Sequence, residues 1–350
     1  MERGILMKPI VGIAMGDPCG IGPEITAKAL ADAHVYELCR PIVIGSAKVF
    51  RRAVDIVGAA LDPRAVEKVS QARFLYGQPE VLNQDLVDLR TLALGEVQAQ
   101  GGRAAYMAVE QVIRLAMARE IDATVTAPLN KEALNLAGFH YSGHTEIYAA
   151  LTGTKDYAMM LMDGPMRVVH VSTHVPLRVA CDLCTRARVL QVIRLAHGAC
   201  RRLGLAQPRI AVAGLNPHAG ENGLFGREEI EEIAPAVAQA RREGMHVDGP
   251  LPADTVFSKM NGGMYDIVVV QYHDQGHIPL KLLGFRMNPE TGKWDSVAGV
   301  NLTLGLPIIR VSVDHGTAFD QAGKGCANEI SMRNAIECAA RLAMTREKQE

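Results

Sequence analysis

Short runs of β-branched and other apolar residues recur along the chain, separated by longer stretches with a helical pattern. The short runs predict strands at Ile10–Met15, Pro41–Ile44, Thr124–Ala127, Arg167–Val171, Ile210–Leu215, Ile267–Gln271 and Ile308–Val313. The longer stretches predict helices over Ala104–Arg119, Arg188–Leu203, Glu228–Arg242 and Met332–Thr345. Strand alternating with helix means parallel pairing and an α/β fold. A run such as Ile267–Val270 has no polar face, as expected where helices cover both sides of a sheet. No repeat, low-complexity tract or Pro/Ser-rich linker marks a boundary. We place it near residue 130, giving one subdomain of 1–130 with the returning 306–350 and a second of 131–305.

Composition narrows the function classes. The 350 residues carry a formal net charge of −1, so no basic field awaits nucleic acid or anionic lipid. Aromatics at 5% argue against base-stacking platforms. No stretch approaches the ~18 apolar residues of a membrane helix. The amino terminus lacks a signal-peptide pattern, so a cytoplasmic protein is expected. Of the seven cysteines, Cys181 and Cys184 form one Cys-x-x-Cys without a second pair, which reads as two packed thiols rather than a zinc ribbon or redox pair.

The loops after the strands are more informative than the strands themselves. Ile10–Met15 runs into Gly16-Asp17-Pro18-Cys19-Gly20-Ile21-Gly22-Pro23-Glu24, and Thr124–Ala127 into Pro128-Leu129-Asn130-Lys131. Histidines come just after four others: His174, His218, His273 with His277, and His315. Ligands of open parallel sheets bind beyond the carboxyl ends of the strands. Three protein ligands with open positions are the pattern of a catalytic metal, so His174, His218 and His273 are candidate ligands. Loop histidines that merely cap strands or helices are the alternative, since no local metal motif such as His-Glu-x-x-His occurs. Gly20 and Gly22 are not followed by the third glycine of a dinucleotide fingerprint, and there is no Walker loop or Gly-x-Ser-x-Gly elbow.

The Gly16–Glu24 motif resembles that of the 4-hydroxythreonine-4-phosphate dehydrogenase family of the vitamin B6 pathway. The likeness continues through Thr126–Lys131, Gly143-His144-Thr145-Glu146, Thr173–Leu177, Gly214–Glu221, Pro252–Thr255, Tyr272–Gly276, Gly299–Gly305 and Ser312–Ala318. These segments span nearly the whole chain in order. The resemblance implies an isopropylmalate-dehydrogenase-like α/β/α fold with the active site in the cleft between two subdomains. It also implies a homodimer whose active sites lie at the subunit interface. Members use NAD and a divalent metal to oxidise an alcohol and then release CO2. By correspondence His174 and His218 bind the metal with His273, the last reaching in from the partner subunit. His144, Thr145, Lys281, Asn301 and Arg310 would contact the substrate.

Elementary chemistry agrees with those roles. A 4-phosphorylated hydroxy acid carries about three negative charges, so cationic and amide donors must converge on it. Lys281 and Arg310 interrupt apolar stretches and can supply the charge; an edge arginine and a solvated surface lysine are the plainer alternatives. Lys281 or Asp254 would shuttle the proton. The run from His315 to Asn328 resembles the adenosine-binding loop of isopropylmalate and isocitrate dehydrogenases, with His315, Gly316, Ala318, Asp320, Gly323 and Asn328 as cofactor residues. Imidazole ligands suit zinc, cobalt or nickel better than magnesium.

Two features depart from the B6 enzyme: His277-Ile278 stands where that enzyme typically has Leu-Pro, and the 286–298 segment is longer. Both look like the sister branch that oxidises 4-phospho-D-threonate or 4-phospho-D-erythronate to dihydroxyacetone phosphate and CO2. Pro289–Gly292 reads as a turn, so the segment is expected to form a hairpin or flap carrying the only tryptophan, Trp294. The B6 activity itself, a three-histidine metal-dependent hydrolase and a non-catalytic metabolite-binding protein are the other readings.

Overall fold

A computed structural model describes residues 7–287, 289–290 and 294–346. Its strands are β1 (Ile10–Ala14), β2 (Arg40–Gly45), β3 (Arg64–Val66), β4 (Glu80–Asn83), β5 (Ala123–Thr126), β6 (Ala158–Asp163), β7 (Met166–His170), β8 (Arg209–Ala213), β9 (His246–Leu251), β10 (Ile267–Val270), β11 (Phe285–Met287), β12 (Trp294–Val297), β13 (Val300–Leu304) and β14 (Arg310–Val313). The helices are α1 (Gly22–Leu30), α2 (Ala33–Leu38), α3 (Ala47–Val57), α4 (Ala99–Met117), α5 (Lys131–Leu136), α6 (His144–Thr152), α7 (Leu177–Leu183), α8 (Arg186–Arg202), α9 (Ala234–Arg242), α10 (Ala253–Asn261), α11 (His273–Gly284) and α12 (Ile330–Arg346).

Two compact units form, residues 1–154 with 306–350, and 155–305. The first boundary therefore falls after α6, not near residue 130. The cause is burial: Leu134 of α5 and Ile147 and Tyr148 of α6 sit in the same core as Val109, Val112 and Ile113 of α4. Helices with such an apolar face stay with the core that covers it.

The first unit holds a parallel sheet in the order β3-β4-β2-β1-β5-β14. Its central strands are apolar on both faces, and Val11, Ile13, Ile42 and Val125 are fully buried. The second unit is mixed. In the order β13-β6-β7-β10-β8-β9, β6 runs antiparallel to both β13 and β7 while the rest are parallel. The antiparallel strand comes from the β6–β7 hairpin, whose turn at Gly164-Pro165 needs only two residues between strand runs. Strand–helix alternation alone did not foresee it.

β11 and β12 pair antiparallel as a separate ribbon, so the 286–298 segment is built on a hairpin; its turn lies partly outside the described residues. All seven cysteines are free thiols. Cys184 is buried and donates to the Gln271 side chain, and burial pushes its thiol up to about 12, as suits a packing residue. Among the described residues no helix is long and apolar enough to cross a membrane.

Candidate active site

Each unit presents its own cluster of candidate residues. In the second unit, β7 and β10 lie side by side, so the loops after them bring His174 and His273 together. Their ring centroids are 5.6 Å apart. Both line an open pocket of about 440 Å³ with Thr173, Pro176, Tyr272 and Asp274. His273 is the first residue of α11, and its Nδ1 meets the Asp274 carboxylate at 2.6 Å. That contact fixes Nδ1 as the donor and leaves the lone pair on Nε2, the form in which an imidazole can act as a ligand. The His273 bond in turn holds the Asp274 carboxyl below the usual carboxylate range.

Behind this pair lie two more imidazoles. His277 packs against His273, and the buried His170 lies 4.9 Å from His277. Burial pushes His170 down to about 4 and His277 to about 3, so both are neutral at pH 7.

His218 is presented differently. Residues His218 to Asn222 run through five successive left-handed conformations, with φ +52 at His218. Such residues cost roughly 1–2 kcal/mol each unless glycine, and persist only where the surroundings fix them. The fixing group is Glu229, which is buried. One of its oxygens accepts the Leu215 and Asn216 N–H groups, both at 2.7 Å, and the other the Asn216 amide at 2.9 Å. Among the described residues, no three His, Cys, Asp or Glu side chains gather as a metal site within one chain. The structure thus brings His174 and His273 together and leaves His218 on its own turn.

The remaining candidates of this unit are dispersed along it. Lys281 lies two turns beyond His273 on α11, its ammonium 5.3 Å from the Phe285 ring. Asp254 is exposed in the first turn of α10, on a different helix from Lys281. Asn301 of β13 has its side-chain oxygen shut away from solvent without a partner.

The first unit holds the second cluster. Arg310 enters from β14 and is buried, its guanidinium 5.6 Å over the Tyr148 ring and 3.4 Å from the Thr126 hydroxyl. Tyr148 donates to Thr124 Oγ1 at 2.9 Å, and Thr124 to the Ile309 carbonyl at 2.9 Å. Burial pushes the Arg310 guanidinium down to about 10. His144 opens α6 one turn before Tyr148, and its Nε2 is buried with no partner. Burial first, and the Arg310 charge second, hold His144 well below its ordinary value. A buried guanidinium, a neutral imidazole and the amides of a helix N-terminus, where Thr145 sits, suit an anion.

The loop after β14 lies in the same unit. His315 Nδ1 donates to its neighbour Gly316, Ala318 is left-handed at φ +41, and Asp320 is exposed. Asn328 accepts the Ile330 N–H at 2.8 Å, so its carbonyl oxygen caps α12. Its amide NH2 takes no part in that cap.

With this geometry in view, comparison with known proteins decides the family. A family model described as the pyridoxal phosphate biosynthetic protein PdxA matches residues 37–339. The chain belongs to the PdxA family. It is 49% identical to a D-threonate 4-phosphate dehydrogenase of Salmonella typhimurium over 333 residues, 95% of this chain and 98% of that one. A protein of the same name from Cupriavidus necator is 47% identical over 97% of this chain and 98% of its own. The crystal structure of a 4-hydroxythreonine-4-phosphate dehydrogenase from Klebsiella pneumoniae is similar with a TM-score of 0.83, at 46% identity over 96% and 99% of the two chains. This PdxA-family chain is therefore a dehydrogenase, an oxidoreductase acting on a CH–OH group.

Three site features of this PdxA-family member escaped the sequence reading. Tyr148 and Thr124, which back Arg310, carry only faint signals: Tyr148 lies four residues after His144, and Thr124 two before Thr126. His170 ends an apolar strand, where a core histidine is the ordinary expectation. The role of Glu229 had no local signal at all.

Proposed function

We propose that the protein catalyses the NAD-dependent, divalent-metal-dependent oxidation and decarboxylation of 4-phospho-D-threonate or 4-phospho-D-erythronate. The buried Arg310 beside the α6 N-terminus carries this reading, because a desolvated guanidinium is retained where an anion must be gripped. The names of the Salmonella and Cupriavidus relatives support the substrate class.

The donor set fits a metal ion. Asp274 binds His273 Nδ1 and so presents its Nε2 as an oriented donor, while His174 and His218 stand in loops just after strands of one unit. His218 would be the third ligand, with His273 supplied by a second copy of the chain. Zinc, cobalt or nickel suit such nitrogens, with magnesium a weaker match. When bound, the ion supplies Lewis acidity at the reacting hydroxyl and carboxylate, worth several kcal/mol. A second copy would also cover Ile278, Leu282 and Leu283, which stand exposed on α11.

The chain's own residues do the rest. Arg310, with the amides at His144 and Thr145, would hold an anionic group; Lys281 and Asn301 of the second unit are further candidate substrate contacts. Neutral His144 offers one nitrogen as donor without adding charge. Lys281 or Asp254 would accept the C3 hydroxyl proton, and the His315–Asn328 loop would hold NAD, which would supply the acceptor for the C3 hydride. The resulting 3-keto acid loses its C1 carboxylate as CO2, and C2 takes up a proton, leaving dihydroxyacetone phosphate.

The test is NADH formation from purified protein with 4-phospho-D-threonate, 4-phospho-D-erythronate and 4-phospho-L-hydroxythreonine, before and after chelation and metal return. Turnover of the sugar-acid phosphates, lost on chelation, is the expected result. Turnover of hydroxythreonine phosphate alone would put the protein in B6 synthesis. Metal-dependent hydrolysis without nicotinamide reduction would overturn the dehydrogenase chemistry for these substrates.

A further inference from the structure

The motif at the start of the chain and the glycine-rich loop near its end meet along one face of α1. Glu24 stands in the first turn of that helix and Lys28 one turn later, a spacing that puts both on one face. Glu24 is 2% exposed, which is unusual for a first-turn acid. Its two carboxylate oxygens accept the N–H groups of Gly323 at 2.6 Å and Gly325 at 2.9 Å. Lys28 donates to the Ala327 carbonyl at 2.7 Å. Just ahead of the helix, the Ile21 N–H donates to the Thr317 carbonyl at 3.0 Å.

One helix face therefore grips both polarities of the 323–327 backbone, the acid taking its donors and the base its acceptor. Charge-assisted bonds of this kind are short and roughly twice as strong as neutral ones. The positive end of the α1 dipole also favours a carboxylate at this position. The gripped backbone needs an anchor. Gly325 sits at φ +63, and a Cβ there would lie 2.8 Å from the Ile56 carbonyl. In this shape only glycine is accommodated at position 325 without strain.

We infer that Glu24 and Lys28 are positioning residues of the dinucleotide site, setting affinity for NAD by holding the 323–327 backbone in its binding shape. Neither touches the reacting atoms. A loop ordered in advance spares the cofactor the entropy of ordering it. The inference rests on the reading of His315–Asn328 as the nucleotide loop, and the experiment separates the two.

Glu24→Gln keeps the shape of the side chain but replaces one acceptor by a donor facing an N–H. The Kd for NAD should rise about tenfold or more, the worth of one hydrogen bond to a charged group. Turnover at saturating NAD, and the KM for the phosphorylated acid, should stay within about twofold of wild type, unlike a general loss of structure. Lys28→Met should raise the Kd about threefold, and it carries the test alone if Glu24→Gln does not fold. In the wild-type enzyme, NAD should slow amide hydrogen exchange across 315–328. Slowed exchange with an unchanged Kd in the variants would overturn the role of Glu24 and Lys28 while the loop reading stands. No slowing in wild type would remove the loop reading, and this inference with it.

Discussion

The imidazole of His277 lies face to face on that of His273, ring centroids 3.6 Å apart and planes 10° from parallel. One turn of α11 separates them, and the His277 Nδ1 donates to the His273 carbonyl at 3.0 Å, which locks its ring. The buried His170 closes the far side, its Nδ1 donating to the Met159 carbonyl at 3.1 Å. His273 is thus held by His277 on one face and by Asp274 at its edge. Supports of this kind typically govern metal affinity by about ten- to a hundredfold. His277→Ala should weaken cobalt binding about tenfold while the fold is kept. Spectroscopic cobalt titration beside circular dichroism checks this; wild-type affinity would deny the stack a role in orienting His273.

Removal of a proposed ligand should act on chemistry rather than on folding. His218 is exposed on its left-handed turn, so His218→Ala loses little packing. Turnover should fall about a thousandfold or more, matching a Lewis-acid contribution of several kcal/mol. Melting temperature should stay within a few degrees. A near-normal rate would remove His218 from the metal set.

For Arg310, activity and stability should part. Replacing a buried charge by an apolar side chain of similar length is often neutral or stabilising, whereas its bound anion loses its partner. Arg310→Met should therefore cost about 2–5 kcal/mol of substrate binding, a thirtyfold to several-thousandfold fall in kcat/KM. The melting temperature should hold or rise. Steady-state kinetics and calorimetry on the same preparation decide it; equal losses in both would make Arg310 a structural residue.

Asp17 gives a pH signature. It is fully buried, one carboxylate oxygen has no partner, and burial pushes its pKa up to about 6. Its folded pKa lies above the unfolded 3.8, so between those values the folded state binds more protons and stability falls as pH rises. At about 1.4 kcal/mol per pH unit, the charged carboxylate costs about 2–3 kcal/mol above pH 6. Asp17→Asn keeps an oxygen for the Cys19 N–H and should stabilise by about 2 kcal/mol at pH 8. That gain should vanish near pH 4. Denaturant unfolding at both pH values measures it, and a pH-independent difference would contradict the assignment.

Two helical glycines should respond to alanine with opposite signs. A Cβ on Gly102 of α4 would lie 2.0 Å from the Ala133 carbonyl of α5, whereas nothing lies within 4 Å of one on Gly198 in α8. Gly198→Ala should stabilise by about 0.5–1 kcal/mol through helix propensity. Gly102→Ala should cost at least about 3 kcal/mol, because two backbones must separate. Thermal melts of the two variants are sufficient.

Much of the fold was legible because its signals are local. The central strands of both units are apolar runs bounded by polar turns, and β1, β5, β7, β8, β10 and β14 fall within or near the segments read from the sequence. The short β3, β4 and β13 were not, since three to five residues at a sheet margin or beside an antiparallel neighbour carry little periodicity. The boundary near residue 130 failed because α5 and α6 look like the start of something new. Only the destination of Leu134, Ile147 and Tyr148 shows which core they serve.

The same division holds for chemistry. The chain by itself determined the alternating architecture, the edge at which polar residues collect, and the ordered motifs of its family, because each is written in residue type and spacing. The tertiary structure decided which of those residues meet. It set His277 on His273, Tyr148 under Arg310, and Glu24 against Gly323 and Gly325, pairs separated by as few as 4 and as many as 301 positions. It also left His218 apart from His174 and His273 within one chain. Contacts of that kind depend on how strands order in a sheet and which faces are buried. Sequence spacing carries no measure of either.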